Sequence, residues 1–139
     1  MIKVLIVEDD PALLRLCQNT LKIEEDFTVD SATNGKEALS KIATFMPDVV
    51  LLDIMMPEMN GIEVLVSMKT NPKTAGIVVI VFTNAFKGKS VDSALALGAA
   101  DFVIKSDIDY STLGARIRAA VAKSGSVAPT ASDAPKPAL

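Results

Sequence analysis

Four apolar runs punctuate the chain: Ile2–Val7, Val49–Leu52, Ile77–Phe82 and Phe102–Ile104. They are rich in Val and Ile and apolar on consecutive positions, the pattern of strands covered on both faces. A fifth run, Phe27-Thr28-Val29-Asp30-Ser31, alternates apolar with polar and predicts a half-exposed edge strand. Helical spacing fills the intervals. Leu13, Leu14, Leu16, Cys17 and Leu21 recur at i, i+3, i+4, as do Ala38, Leu39, Ile42 and Ala43, and then Ile62, Leu65, Val66 and Met68. Val91, Ala94 and Leu95 make a shorter case with Gly98 as its stop, and Leu113, Ile117, Ala120 and Val121 complete the set.

Five strands thus alternate with five helices. Such alternation predicts an α/β fold, a parallel sheet between two helix layers joined by right-handed crossovers. With an edge-like second strand, the expected strand order is 2-1-3-4-5, the flavodoxin-like arrangement. From Ser124 the sequence turns to SGSVAPTASDAPKPAL, which has too few large apolar groups to pack. The expected division is therefore a folded domain over 1–123 and a flexible tail or linker over 124–139.

Composition narrows the function classes. The chain has 139 residues, half of them hydrophobic and 22% charged, which suits one globular domain with its own core. No apolar run approaches about 18 residues and no basic, apolar leader opens the chain. Neither membrane insertion nor secretion is expected, and the cytoplasm is the expected location. A formal charge of −3 argues against direct binding to nucleic-acid phosphates. Cys17 has no disulfide partner and reads as a buried thiol. Histidine is absent, which excludes a Ser-His-Asp triad, a Cys-His pair and His-ligated zinc.

The remaining chemistry lies where polar residues meet strand ends. Glu8, Asp9 and Asp10 follow the first apolar run, Asp53 ends the third, Thr83 the fourth and Lys105 the fifth. In a parallel sheet these are all carboxyl ends, the edge at which open α/β sheets bind ligands. Each has a bland alternative. Asp10 before Pro11 is best read as a helix N-cap, and Glu8 and Asp9 would favour the same helix terminus. Asp53 could be a turn residue, Thr83 a cap and Lys105 a solvated lysine. Their joint placement favours a site. Two carboxylates about 5 Å apart repel by roughly 3 kcal/mol at an effective dielectric near 20, so a proton or a cation must relieve the cluster. An all-oxygen donor set selects a hard divalent ion, Mg²⁺ first. Beside it a free carboxylate can act as a nucleophile towards phosphorus.

Over about residues 1–123 the chain resembles the receiver domain of two-component response regulators. The resemblance is carried by Val7-Glu8-Asp9-Asp10, by Asp53-Ile54-Met55-Met56-Pro57-Glu58-Met59-Asn60-Gly61, by Thr83, and by the segment Gly98-Ala99-Ala100-Asp101-Phe102-Val103-Ile104-Lys105. It implies that Asp53 is the phospho-acceptor, supplied by a sensor histidine kinase or phosphotransfer protein. Asp9 and Asp53 would bind Mg²⁺ directly, joined by the backbone carbonyl of Met55, with Glu8 acting mostly through water. Lys105 and Thr83 would meet the phosphoryl oxygens. Thr83 and the aromatic position Phe102 would form the switch, altering the face made by the fourth helix, fifth strand and fifth helix for a downstream effector protein.

Three positions depart from the family pattern. Ser106 replaces the usual proline after the lysine, which removes the reason for a cis peptide there. Asn84 stands where a very small residue is usual, and Phe102 lacks a tyrosine hydroxyl. Met55 and Ala85 flank the expected route of hydrolytic water without a side chain able to orient it, which predicts slow self-dephosphorylation. The competing readings are a receiver-like interaction module that does not depend on phosphorylation and an aspartate-nucleophile phosphatase. The second needs a proton donor at Met55, which has none.

Overall fold

Three of the four runs of consecutive apolar residues become interior strands because both of their faces are covered, whereas the fourth, Phe102–Ile104, lies at an edge of the sheet with Phe102 exposed. The computed structural model describes residues 1–56, 59–84 and 89–124. Strands β1 (Ile2–Val7), β2 (Phe27–Ala32), β3 (Val49–Leu52), β4 (Val78–Thr83) and β5 (Asp101–Ile104) alternate with helices α1 (Pro11–Lys22), α2 (Gly35–Phe45), α3 (Gly61–Thr70), α4 (Lys89–Ala96) and α5 (Leu113–Ser124). A 3₁₀ turn, Tyr110–Thr112, leads into α5. All strand pairs are parallel and the sheet order is β2-β1-β3-β4-β5, as the alternation predicted. The fold is flavodoxin-like.

Strand pleating divides the core in two. Val4, Ile6, Val49, Leu51, Ile80 and Phe82 point to one face, against Leu14, Cys17, Leu21, Leu113 and Ile117 of α1 and α5. Leu5, Val7, Val50, Leu52, Val79 and Val81 point to the other, against Ala38, Ile42, Val64, Leu65 and Met68 of α2 and α3. Cys17 is buried as expected, and burial pushes its thiol up to about 12. The edge strand β2 is less alternating than its sequence. Asp30 and Ser31 are both half-buried because Lys41 of α2 reaches Asp30 Oδ1 at 3.0 Å and the Ser31 carbonyl at 2.8 Å.

Local signals set the helix ends. Asp10 caps α1, its Oδ1 accepting from the Ala12 amide at 3.0 Å, with Pro11 in the first turn. Asn60 and Glu63 form a reciprocal capping box at the start of α3. Beyond α4, the amides of Gly98 and Ala99 donate to the carbonyls of Leu95 and Ala94 at 3.1 and 3.0 Å. This is a Schellman closure, and the +107° φ of Gly98 is why glycine stops the helix there. Among the described residues every peptide bond is trans, including the one before Ser106, and no helix is long and apolar enough to cross a membrane. Ala85, part of the hydrolytic-water reading, and 125–139, most of the expected tail, lie outside the described residues.

Candidate functional site

The sheet ladder itself delivers the acids. The amide of Glu8 donates to the Ala32 carbonyl at 3.0 Å, extending the β1–β2 pairing by one residue. That of Asp53 donates to the Val7 carbonyl at 3.1 Å, extending β3 along β1. Both residues are buried, whereas Asp9 is exposed. One carboxylate oxygen from each of Glu8, Asp9 and Asp53 lies within 4.8 Å of the others. Gly61 permits the approach of α3 to this loop. A Cβ there would lie 2.3 Å from the Asp53 carbonyl oxygen.

Lys105 enters from β5. Its amide donates to the Thr83 carbonyl at 3.0 Å, and its ammonium lies 2.5 Å from Glu8 Oε1 and 3.0 Å from Asp53 Oδ2. The remaining oxygens are also held: Glu8 Oε2 accepts from the Asp10 amide at 3.0 Å and Asp53 Oδ1 from the Met55 amide at 3.1 Å. Glu8 Oε1 meets the ammonium as a charge contact without hydrogen-bond alignment.

Charge is unbalanced within this group, since one ammonium faces the carboxylates of Glu8, Asp9 and Asp53. Burial, assisted by the charge of Asp53, raises the Glu8 carboxyl above its ordinary value, although Lys105 and the Asp10 amide work against the shift. Burial likewise raises Asp53, with the Asp9 charge adding to it and Lys105 and Met55 opposing it. For Lys105, burial disfavours the ammonium, but the close contacts and charges of Glu8 and Asp53 outweigh it and the net direction is upward. The donors are all oxygen and two of the acids are buried, a set that fits a hard divalent cation such as Mg²⁺.

The structure therefore gathers Glu8, Asp9, Asp53 and Lys105. Thr83, wholly buried at the end of β4, joins them through its carbonyl. Met55 adjoins through its amide while its side chain is exposed, and Asn84 is exposed beyond Thr83. Phe102 stands apart on β5, beside Val81 in register and 37% exposed. Sequence reasoning missed two aromatics. The Lys105 ammonium lies 5.6 Å from the centroid of the buried Phe82 ring, and Tyr110 meets that ring edge-on at 6.2 Å. Nothing in the apolar run of β4 distinguishes Phe82 from other core residues.

Residues 4–118 match the family described as "Response regulator receiver domain". The chain belongs to that family. Among curated relatives, the receiver is 44% identical over 119 residues to protein-glutamate methylesterase/protein-glutamine glutaminase 3 of Rhodospirillum rubrum, covering 84% of this chain and 31% of that protein. The chain thus spans about a third of that relative's length. It is 36% identical over 105 residues to chemotaxis protein CheY of Listeria monocytogenes, covering 76% of this chain and 87% of that one. A CheY-like receiver domain structure from Methanospirillum hungatei superposes with a TM-score of 0.81 at 26% identity, over 89% of this chain and 96% of that chain. The receiver domain of a DNA-binding response regulator from Colwellia psychrerythraea gives 0.78 at 30% identity, over 88% and 99%. Receiver domains typically bind Mg²⁺ and are in general signalling modules rather than enzymes. The family match favours neither competing reading.

Proposed function

We propose that Asp53 accepts a phosphoryl group from the phosphohistidine of a sensor kinase or phosphotransfer protein. A carboxylate oxygen of Asp53 forms the new bond to phosphorus as the P–N bond breaks, and the electron pair leaves on the donor imidazole. The supporting observation is the convergence of Glu8, Asp9 and Asp53 oxygens within 4.8 Å, bridged by Lys105. Asp9, Asp53 and the Met55 carbonyl would hold Mg²⁺ directly and Glu8 through water. Bound there, the ion would supply positive charge to the phosphoryl oxygens. Lys105 would turn from the Asp53 carboxylate to the phosphoryl oxygens, and the Thr83 hydroxyl would donate to one of them.

The modified side chain carries about −2 where a carboxylate carried −1, with new acceptor oxygens. Thr83 moving inward opens space for Phe102, and the α4–β5–α5 face changes shape for an effector protein. An effector preferring the altered face shifts the population by its differential affinity. The domain acts on no substrate besides its own phosphoryl group. It would work in the cytoplasm, as a unit over 1–123 with 124–139 as its tail or linker, and with no direct contact to nucleic acid.

Incubation with acetyl phosphate and Mg²⁺ tests the reading by intact mass. One phosphoryl group should add to the protein and none to Asp53→Ala. Labelling that survives the substitution, or that proceeds equally well in EDTA, would redirect the assignment.

A further inference from the structure

The geometry points to Tyr110 as a positioning residue that holds Lys105 in place, an inference that rests on the proposed role of Lys105 as partner of the phosphoryl oxygens. A lysine side chain is long and flexible, so an ammonium placed between two buried acids needs restraint at both of its ends. The main chain of Lys105 is gripped twice. Its amide donates to the Thr83 carbonyl at 3.0 Å, and its own carbonyl accepts from the Tyr110 hydroxyl at 3.4 Å. The ammonium lies over the Phe82 ring, 5.6 Å from its centroid, within cation–π range. Tyr110 stands perpendicular to that ring with centroids 6.2 Å apart, the edge-to-face geometry that aromatic pairs favour. One residue therefore reaches Lys105 by two routes, through its hydroxyl at the backbone and through Phe82 at the charge.

Tyr110 is itself anchored. Asp109 Oδ1 accepts from the Ser111 amide at 3.0 Å, and the Asp109 carbonyl accepts from the Thr112 amide at 2.9 Å, fixing the turn that carries the ring. The need for a tether lies in the neighbouring residue. Ser106 has no ring to fix its φ, so the chain leaving Lys105 lacks the covalent stiffness a proline would give. Tyr110, the single tyrosine of the chain, supplies that restraint from a turn further along.

The test compares wild type with Tyr110→Phe, which keeps the ring and loses the hydroxyl, and Tyr110→Ala, which loses both. The first readout is the ¹⁵N-edited ammonium signal of Lys105 in the metal-free protein at low temperature and one fixed pH, assigned by its loss in Lys105→Arg. The second is the rate of Asp53 labelling by acetyl phosphate with Mg²⁺. Tyr110→Phe should broaden the ammonium signal and slow labelling about three- to ten-fold, the equivalent of one lost hydrogen bond. Mg²⁺ affinity should be retained. Tyr110→Ala should show a larger effect of the same kind. A wild-type ammonium signal and labelling rate in Tyr110→Phe would overturn the inference, as would a lowered melting midpoint accompanied by an unchanged ammonium signal. If wild type takes no label on Asp53, the phosphoryl reading falls, and the ammonium signal alone then decides whether Tyr110 positions Lys105.

Discussion

Lys105 and Glu8 meet at 2.5 Å with the two side chains only 10% and 1% exposed, so the ion pair is almost wholly removed from water. Such a pair is strongly coupled to its surroundings because neither charge can be solvated once its partner is gone. The same ammonium serves Asp53, so its loss strands two acids together.

Lys105→Met should therefore destabilise the metal-free protein by about 3–5 kcal/mol, the range for breaking a buried pair by removing one partner. Mg²⁺ should restore more stability to the variant than to wild type, because the cation replaces the missing charge. Thermal unfolding in EDTA and in Mg²⁺ measures both effects. An unchanged midpoint in EDTA would contradict the geometry.

The acids set a pH dependence of definite sign. Glu8 and Asp53 are raised above their ordinary values of 4.5 and 3.8, mainly by burial. Between each ordinary value and its raised one, the folded state holds a proton that the unfolded state has released. The stability these groups contribute is thus fully present below the ordinary values and is lost as pH rises through the raised ones. In EDTA, Asp53→Asn should melt above wild type at neutral pH, and this gap should shrink as the solution is acidified. Mg²⁺ affinity should run the other way, strengthening with rising pH as protons leave the ligands. Melting curves and Mg²⁺ titrations across pH report both slopes.

Two glycines should respond oppositely to alanine. At Gly61 the new methyl would lie 2.3 Å from the Asp53 carbonyl oxygen and 2.8 Å from the Ile54 Cα, backbone atoms that cannot yield cheaply. Gly61→Ala should lose about 1–3 kcal/mol and slow Asp53 labelling, since the clash displaces the loop that carries Asp53. At Gly76 nothing lies within 4 Å of the Cβ position, and Gly76→Ala should gain about 0.4–1 kcal/mol through the unfolded state. Denaturant midpoints for the pair supply the comparison.

The proposed switch is readable through Phe102, now 37% exposed. The chain has no tryptophan, so Phe102→Trp introduces a single reporter. Its emission should shift to shorter wavelength when acetyl phosphate and Mg²⁺ are added. Combining it with Thr83→Val should abolish the shift while Asp53 is still labelled, because the valine keeps the volume and loses the hydroxyl.

Slow loss of the proposed phosphoryl group is expected from what lies beside Asp53. The Met55 side chain is exposed and offers no hydrogen-bond donor to align an attacking water. Phosphoprotein in Mg²⁺ buffer should outlast seconds by a wide margin. Decay within seconds, followed by intact mass, would remove this reading.

Much of the fold was legible because parallel strands covered on both faces leave unambiguous apolar runs, and Asp10, Gly98 and the alternation of elements marked the boundaries. The errors were at strand ends. β2 runs on to Ala32, β4 spans Val78–Thr83 instead of beginning at Ile77, and β5 begins at Asp101. Ladder pairing, rather than hydropathy, settles those residues. Asp30 and Ser31 sit half-exposed as the edge pattern implied, and Lys41 arriving from α2 ties both to the helix layer.

By itself the sequence determined which chemistry was available and at which edge of the sheet it would gather. Carboxylates, a hydroxyl and a lysine at successive strand ends must converge once the strands are parallel, however far apart they stand along the chain. Only tertiary structure decided how they share charge. Lys105 lies between Glu8 and Asp53, Asp9 stays in water, and the Phe82 ring lies near the ammonium with Tyr110 edge-on to that ring. Those relationships depend on register, rotamer and burial, all set by packing between residues distant in sequence, where local patterns carry no information.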